Sequence, residues 1–194
     1  MTEPQPDLFE MRRLESLSNT IFGVAMTLLA YDLPKANFQA LPGWGDLYHL
    51  YADRLGSLAL SFIIAGVFWI SHNRRLARQP LGSRVVVILN LFFLLSIILL
   101  PVTNGLYGNY AMSSAVAVLY GCHLTTIAAL NAWLWWLTAQ ARRHPEIIGA
   151  TFPILVFIPG TVVAAVAPQY APYFWTLGFG GLLARRFIRS DAPA

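Results

Sequence analysis

The chain has 194 residues, of which 57% are apolar and only 11% are charged, and its formal net charge is +4. Soluble domains carry roughly 25% charged residues, so this composition excludes an ordinary soluble domain and indicates a membrane protein. The basic residues lie at the ends of apolar stretches, which argues against a nucleic-acid-binding surface and favours anionic lipid head groups as their neighbours.

Six long apolar stretches predict an all-α membrane protein with a single domain over residues 1–194. A spanning helix needs about 20 mostly apolar residues. In chain order, the predicted helices cover approximately residues 14–33, 54–74, 85–100, 111–140, 146–166 and 172–187. The third is expected to end at Pro101, with a turn up to Tyr110. Strands are not expected, because the apolar runs are far longer than a strand requires.

The distribution of Lys and Arg predicts the orientation of these helices. Short loops rich in Lys and Arg stay in the cytoplasm during insertion. Lys35 and Arg54 lie in the gaps that would face outward, and the other eleven basic residues lie in the alternate gaps and the termini: Arg12, Arg13, Arg74, Arg75, Arg78, Arg84, Arg142, Arg143, Arg185, Arg186 and Arg189. The pattern therefore predicts six crossings with both termini in the cytoplasm.

The first predicted helix differs from a helix that faces only lipid. Polar or small residues recur through its apolar run, at Ser16, Ser18, Asn19, Thr20, Gly23 and Thr27. Polar residues at membrane depth usually face a protein interior or a water-filled path, and Gly23 with Thr27 forms a small-xxx-small pair that permits close helix contact. Composition alone leaves both readings open, helix packing and the lining of a water-filled path.

The same helix contains a recognisable motif. The stretch RLESLSNTIFGVAMTLL follows a pattern of Arg-x-x-x-Phe-Ser-Asp, an apolar stretch, Thr and Leu-Leu, and it matches that pattern at Arg13, Ser18, Thr27, Leu28 and Leu29. Leu17 and Asn19 stand where the pattern has Phe and Asp.

Two further motifs lie in the next two helices. Ser61-Phe62 is followed by Trp69 and His72, and the stretch NLFFLLSIILLP runs from Asn90 to Pro101. Together the three motifs resemble the transmembrane protein 175 family. Its members are potassium channels, known from lysosomes and, in a shorter single-repeat form, from prokaryotes.

The resemblance implies a homotetramer of six-helix subunits in the plasma membrane of a prokaryote, with helix 1 lining a central potassium pore. It implies no cofactor and no carbonyl selectivity filter. By position, Val24 and Leu28 would form the apolar constriction, with Thr27 between them and Tyr31 one turn further along. These four share one helix face. The Thr27 hydroxyl would replace part of an ion's hydration shell, or would bond the Gly23 carbonyl instead.

The resemblance also implies a polar network within and between subunits. Its members would be Arg13, Ser18, Asn19, Trp69, His72 and Asn90. A partly buried arginine needs compensation, and Asn19 stands where the family has a carboxylate. Either Glu15 takes that role, or the network is neutral and weaker.

The residues also allow other functions to be weighed. The alternative is a secondary transporter of a small solute or ion, for which the only hint is the pair Pro153 and Pro159 in helix 5. An enzyme would need a cluster of nucleophile, base or metal ligands, and none is evident. Cys122 and His123 are adjacent and point to different faces, so no metal site is expected.

Overall fold

The structure is a computed structural model that describes residues 8–38, 40–79, 81–138 and 144–178. Six α-helices account for most of them: α1 (Met11–Leu28), α2 (Trp44–Leu76), α3 (Arg84–Tyr110), α4 (Ser114–Thr138), α5 (His144–Val166) and α6 (Ala171–Leu177). Short 3-10 helices cover Leu29–Asp32 after α1 and Pro168–Tyr170 before α6. The expectation of an all-α fold is confirmed in this coarse form.

Several predicted boundaries are wrong. The helix α1 starts at Met11 rather than near residue 14, and its last turn is a 3-10 helix. The helix α2 starts at Trp44, ten residues earlier than predicted. At the other helix ends, α4 begins at Ser114 and α5 at His144. The predicted end of helix 4 at residue 140 and of helix 6 at residue 187 lie outside the described residues.

The largest correction concerns Pro101, which lies inside α3 rather than at its end. A proline ring clashes with the preceding turn of a helix, and a membrane helix tolerates this when neighbours satisfy the disturbed carbonyls. The carbonyl that loses its helical partner at Pro101 is that of Ile97. The turn beside it is tied to α4, because His123 Nε2 lies 3.0 Å from the Ser96 carbonyl oxygen and donates to it. Thr103 Oγ1 lies 2.8 Å from the other ring nitrogen. The helix continues through Pro101 to Tyr110.

The expectation that the chain has no strands is also wrong. The strands β1 (Leu8–Glu10) and β2 (Leu81–Ser83) form an antiparallel pair, with Leu8 opposite Ser83 and Glu10 opposite Leu81. Both strands are three residues long and lie outside the apolar runs, so hydropathy gave no sign of them. A Cβ at Gly82 would overlap the Met11 sulfur. The absence of a side chain at Gly82 thus lets the segment before α1 lie against the connection between α2 and α3.

The helices pack around one apolar core. The helix α1 lies against α2 and α3, α4 lies against α3 and α5, and α6 lies against α5. One stripe of α1 is buried, with members three or four residues apart as one helix face requires: Met11, Leu14, Ser18, Phe22, Ala25 and Leu29. Near α6, the Tyr107 and Tyr120 rings stack at 4.8 Å and the Trp175 ring meets both edge-on.

Four helical segments in the described residues are long and apolar enough to cross a membrane: Arg54–Leu76, Arg84–Tyr110, Ser114–Thr138 and Glu146–Val166. The chain is therefore a membrane protein. The helix α1 and the described part of α6 do not belong to this set. Six crossings and two cytoplasmic termini remain predictions.

Candidate functional site

The protomer leaves one face of α1 uncovered, and the four residues predicted for the pore lie on it. Val24 is 53% exposed, Leu28 is 44% exposed and Tyr31 is 75% exposed, while the buried stripe of α1 lies on the other side. Thr27 is also exposed. In the part of the chain that the structure describes, Val24, Thr27, Leu28 and Tyr31 are thus all exposed, on the side away from the buried stripe.

The hydroxyl of Thr27 is held by its own helix. Thr27 Oγ1 donates to the Val24 carbonyl oxygen over 2.7 Å, rather than to the Gly23 carbonyl considered above. A threonine hydroxyl has one donor and two acceptor lone pairs. Because the hydrogen is directed to the backbone, the lone pairs of the oxygen remain available on the uncovered face.

Two of the predicted network residues meet between α1 and α2. Trp69 Nε1 donates to Asn19 Oδ1 over 2.9 Å, on the exposed side of the helix pair. Asn19 therefore serves as an acceptor, the role that a carboxylate would have at this position. Ser18 is fully buried but donates to the Leu14 carbonyl within α1 over 2.6 Å, so its hydroxyl does not contact the other predicted members.

Two others, His72 and Asn90, meet through a residue that sequence reasoning missed. Arg75 Nη2 donates to His72 Nδ1 over 2.9 Å and to Asn90 Oδ1 over 2.8 Å. Arg75 and His72 are each 1% exposed and Asn90 is completely buried. The His72 ring stacks on Phe93 with ring centroids 5.3 Å apart. Phe22 of α1 packs against both of these rings. We call Arg75, His72 and Asn90 the buried cluster.

Arg13 lies apart from the buried cluster in the protomer. Its Nε is 3.3 Å from Glu10 Oε2, and its side chain is 89% exposed. Sequence reasoning counted Arg75 only as a basic residue at a helix end. The available signal was its spacing, because residues 72 and 75 are three apart on α2 and so lie on one helix face.

The described residues contain no group of three or more His, Cys, Asp or Glu side chains arranged to hold a metal ion. Cys122 is an exposed free thiol, and both ring nitrogens of its neighbour His123 are engaged by Thr103 and Ser96.

Comparison with known proteins shows which family the chain resembles. The sequence profile of the family described as "Endosomal/lysosomal potassium channel TMEM175" matches residues 13–101, which include α1, α2 and the motifs of α3. A curated potassium channel of Streptomyces collinus is 28% identical over 136 residues, covering 66% of this chain and 64% of the relative. The chain thus spans just under two thirds of that relative. A curated potassium channel of Chamaesiphon minutus is 24% identical over 202 residues, covering 96% of this chain and 98% of the relative.

Two solved structures share the fold. The crystal structure of a lysosomal potassium-selective channel TMEM175 homolog from Chamaesiphon minutus superposes with a TM-score of 0.78 at 19% identity, covering 94% of this chain and 98% of that one. A crystal structure of the potassium channel MtTMEM175, solved with a nanobody–MBP fusion, gives a TM-score of 0.59 at 14% identity and covers 98% of this chain and 100% of that one. At these identities the structures establish the fold alone. The profile match and the curated relatives, which are named as potassium channels, show that the chain resembles the TMEM175 family.

Proposed function

We propose that this protein is a potassium-preferring cation channel. In this proposal four copies assemble around a central pore lined by α1, in the plasma membrane of a prokaryote, with no carbonyl selectivity filter. Similarity to a family of potassium channels supports the permeant ion. The uncovered face of α1 is the structural observation that carries the proposal.

That face is suited to water and to other copies of the chain better than to lipid. It carries the exposed hydroxyl-bearing residues Ser16, Thr20 and Thr27 beside Val24 and Leu28. A side chain that faces only lipid gains nothing from a hydroxyl, and polar residues at membrane depth usually line a protein interior or a water-filled path. The helix α1 is also absent from the apolar spans found in the described residues, as expected for a helix that is sheltered from lipid by neighbouring subunits.

The side chains on this face have the properties of a hydrophobic gate. Four copies of Val24 or of Leu28 around an axis would make a narrow apolar ring, which can close by dewetting. Thr27 lies between them and directs its hydroxyl hydrogen to the Val24 carbonyl. Its oxygen would therefore present lone pairs to a passing cation and replace part of the hydration shell.

The geometry of α5 favours a channel over a secondary transporter. Transporter sites typically use interrupted helices near the middle of the membrane. The helix α5 runs unbroken from His144 to Val166 through both Pro153 and Pro159. The one sequence feature that hinted at a transporter thus does not produce an interrupted helix.

Purified protein in liposomes tests the proposal. We expect a passive potassium flux whose reversal potential follows the potassium gradient and which needs no second ion. Liposomes without protein are the control for leakage, and sodium in place of potassium reports the preference. A flux that saturates with substrate and requires a coupled ion would contradict the channel assignment.

A further inference from the structure

The buried cluster presents more hydrogen-bond donors than it uses. Arg75 Nη2 donates to His72 Nδ1 and to Asn90 Oδ1. A guanidinium has no acceptor atom, so His72 Nδ1 accepts this bond. Because Nδ1 accepts, the proton of the neutral ring is on Nε2, and this second nitrogen is a donor as well.

Several donor groups of the cluster have no hydrogen-bond partner among the described residues: Arg75 Nε, Arg75 Nη1, His72 Nε2 and Asn90 Nδ2. They come from two helices, since His72 and Arg75 lie on α2 and Asn90 lies on α3. Asn73 Oδ1, a buried acceptor two residues before Arg75, has no hydrogen-bond partner in the described part of the chain.

Arg75 also has no carboxylate partner in residues 8–38, 40–79, 81–138 and 144–178. The two ion pairs there join Arg13 to Glu10 and Arg78 to Glu146. Arginine stays protonated in proteins, and Arg75 is 1% exposed. A buried cation with unused donors and no counter-charge is strongly unfavourable. The chemistry of the cluster therefore fits an acceptor that carries negative charge.

We propose that the buried cluster is a binding site for a small inorganic anion, chloride in the cell. The anion would accept from Arg75, His72 and Asn90 together and so join α2 to α3 behind α1. The near-complete burial of all three residues favours a monatomic ion over a phosphate or a lipid head group, whose additional oxygens would need more donors and more room. The site lies on the packed side of α1, away from the uncovered face that carries Val24 and Leu28.

Thermal unfolding in detergent tests the site through stability, so the result is independent of potassium conduction. At equal potassium concentration, we expect chloride or bromide to raise the Tm above its value in gluconate by at least about 3 °C, because a ligand that binds only the folded state stabilises it. Arg75→Met should abolish this difference. Arg74→Met is the matched control, since Arg74 is its exposed neighbour, and should keep it. Equal Tm values for the unaltered protein in the two salts would overturn the proposal.

If Arg75→Met fails to fold, a second variant tests the anion site. Asn90→Asp supplies a fixed carboxylate beside Arg75 Nη2 and should make the Tm in gluconate as high as that of the unaltered protein in chloride, with no further effect of chloride. A variant that keeps the full chloride effect would count against the site. Crystals grown in bromide should show an anomalous peak in contact with Arg75. No peak there, or a carboxylate from elsewhere in the chain at that place, would overturn the proposal.

Discussion

At the scale of single residues, Thr27 shows how one side chain serves both its helix and its surface. Its hydrogen bond to the Val24 carbonyl orients the oxygen without another residue's help. The bond leaves lone pairs on the face proposed to line the pore, where an oxygen ligand can select among cations. The sequence analysis named Thr27, but it considered the Gly23 carbonyl as the acceptor, and the structure shows the Val24 carbonyl instead.

We expect Thr27→Val to lower the potassium-to-sodium permeability ratio by about two- to tenfold, because losing one neutral polar contact costs about 0.5–1.5 kcal/mol. Reversal potentials under bi-ionic conditions measure the ratio. Thr126→Val is the matched control, since Thr126 on α4 is exposed and bonds its own helix in the same way. An unaltered ratio in Thr27→Val would remove Thr27 from selectivity.

Leu28→Asn should raise single-channel conductance several-fold, because a polar side chain keeps a narrow apolar ring wet. Leu95→Asn on α3 is the control, since Leu95 is a leucine exposed to a similar degree in the protomer but lies outside the proposed pore. Recordings in planar bilayers measure both. Equal currents in the unaltered protein and Leu28→Asn would show that Leu28 does not line the narrow part.

At the scale of helices, the contact between α4 and α5 depends on one small residue. A Cβ at Gly121 would overlap Thr161 Oγ1 and press on its Cβ, and the Thr161 hydroxyl is bonded to the Phe157 carbonyl. The two helices therefore approach each other more closely here than an alanine would permit.

Gly121→Ala should lower the free energy of unfolding by about 1–3 kcal/mol, the usual cost of overpacking. In Gly66→Ala, the new Cβ would meet only the Met26 methyl at 4.0 Å, so this control should be neutral or slightly stabilising. Denaturant titration in detergent measures both. The packing argument fails if the two variants unfold alike.

Helix existence followed from the sequence more readily than helix ends did. Long apolar runs predicted the four helices that are long and apolar enough to cross a membrane, because burial in lipid demands such runs. They gave no warning that α2 begins at Trp44 or that α3 passes Pro101, because residues 44–53 are a polar extension of the helix and a proline usually ends one. The pairing of β1 with β2 likewise arises from tertiary contacts that no local pattern records. For Arg75 the sequence gave only its three-residue spacing from His72, which does not predict its burial.

At the scale of the whole molecule, the proposed assembly depends on surfaces that a single protomer leaves uncovered. Residue spacing predicted that Val24, Thr27, Leu28 and Tyr31 share one face, and all four are exposed in the described part of the protomer. Which copies meet there, and with what symmetry, depends on contacts between chains. For this reason the sequence of one chain predicts the tetramer only through its resemblance to a family.

Arg13→Ala tests the part of the network proposed between subunits. The Arg13 pair with Glu10 is exposed, and such pairs contribute about 0–1 kcal/mol, so the fold of each protomer should hardly change. The oligomer should dissociate at a lower detergent or denaturant concentration than the oligomer of the unaltered protein, as seen by size exclusion with light scattering. Arg12→Ala is the control at the neighbouring exposed position. A tetramer of undiminished stability in Arg13→Ala would exclude the intersubunit role.

The length of α2 has a consequence outside the bilayer. Its 33 residues span about 50 Å at the usual helical rise, whereas the hydrocarbon layer is about 30 Å thick. The apolar part begins only at Arg54, so residues 44–53 extend the helix beyond the segment that is apolar enough to cross a membrane, with Trp44 and Tyr48 exposed. The first turn of α2 is stabilised by a hydrogen bond from the Gly43 amide to the Asp46 carboxylate. An antibody fragment or a fiducial protein for electron microscopy can therefore be attached to a rigid handle rather than to a loop.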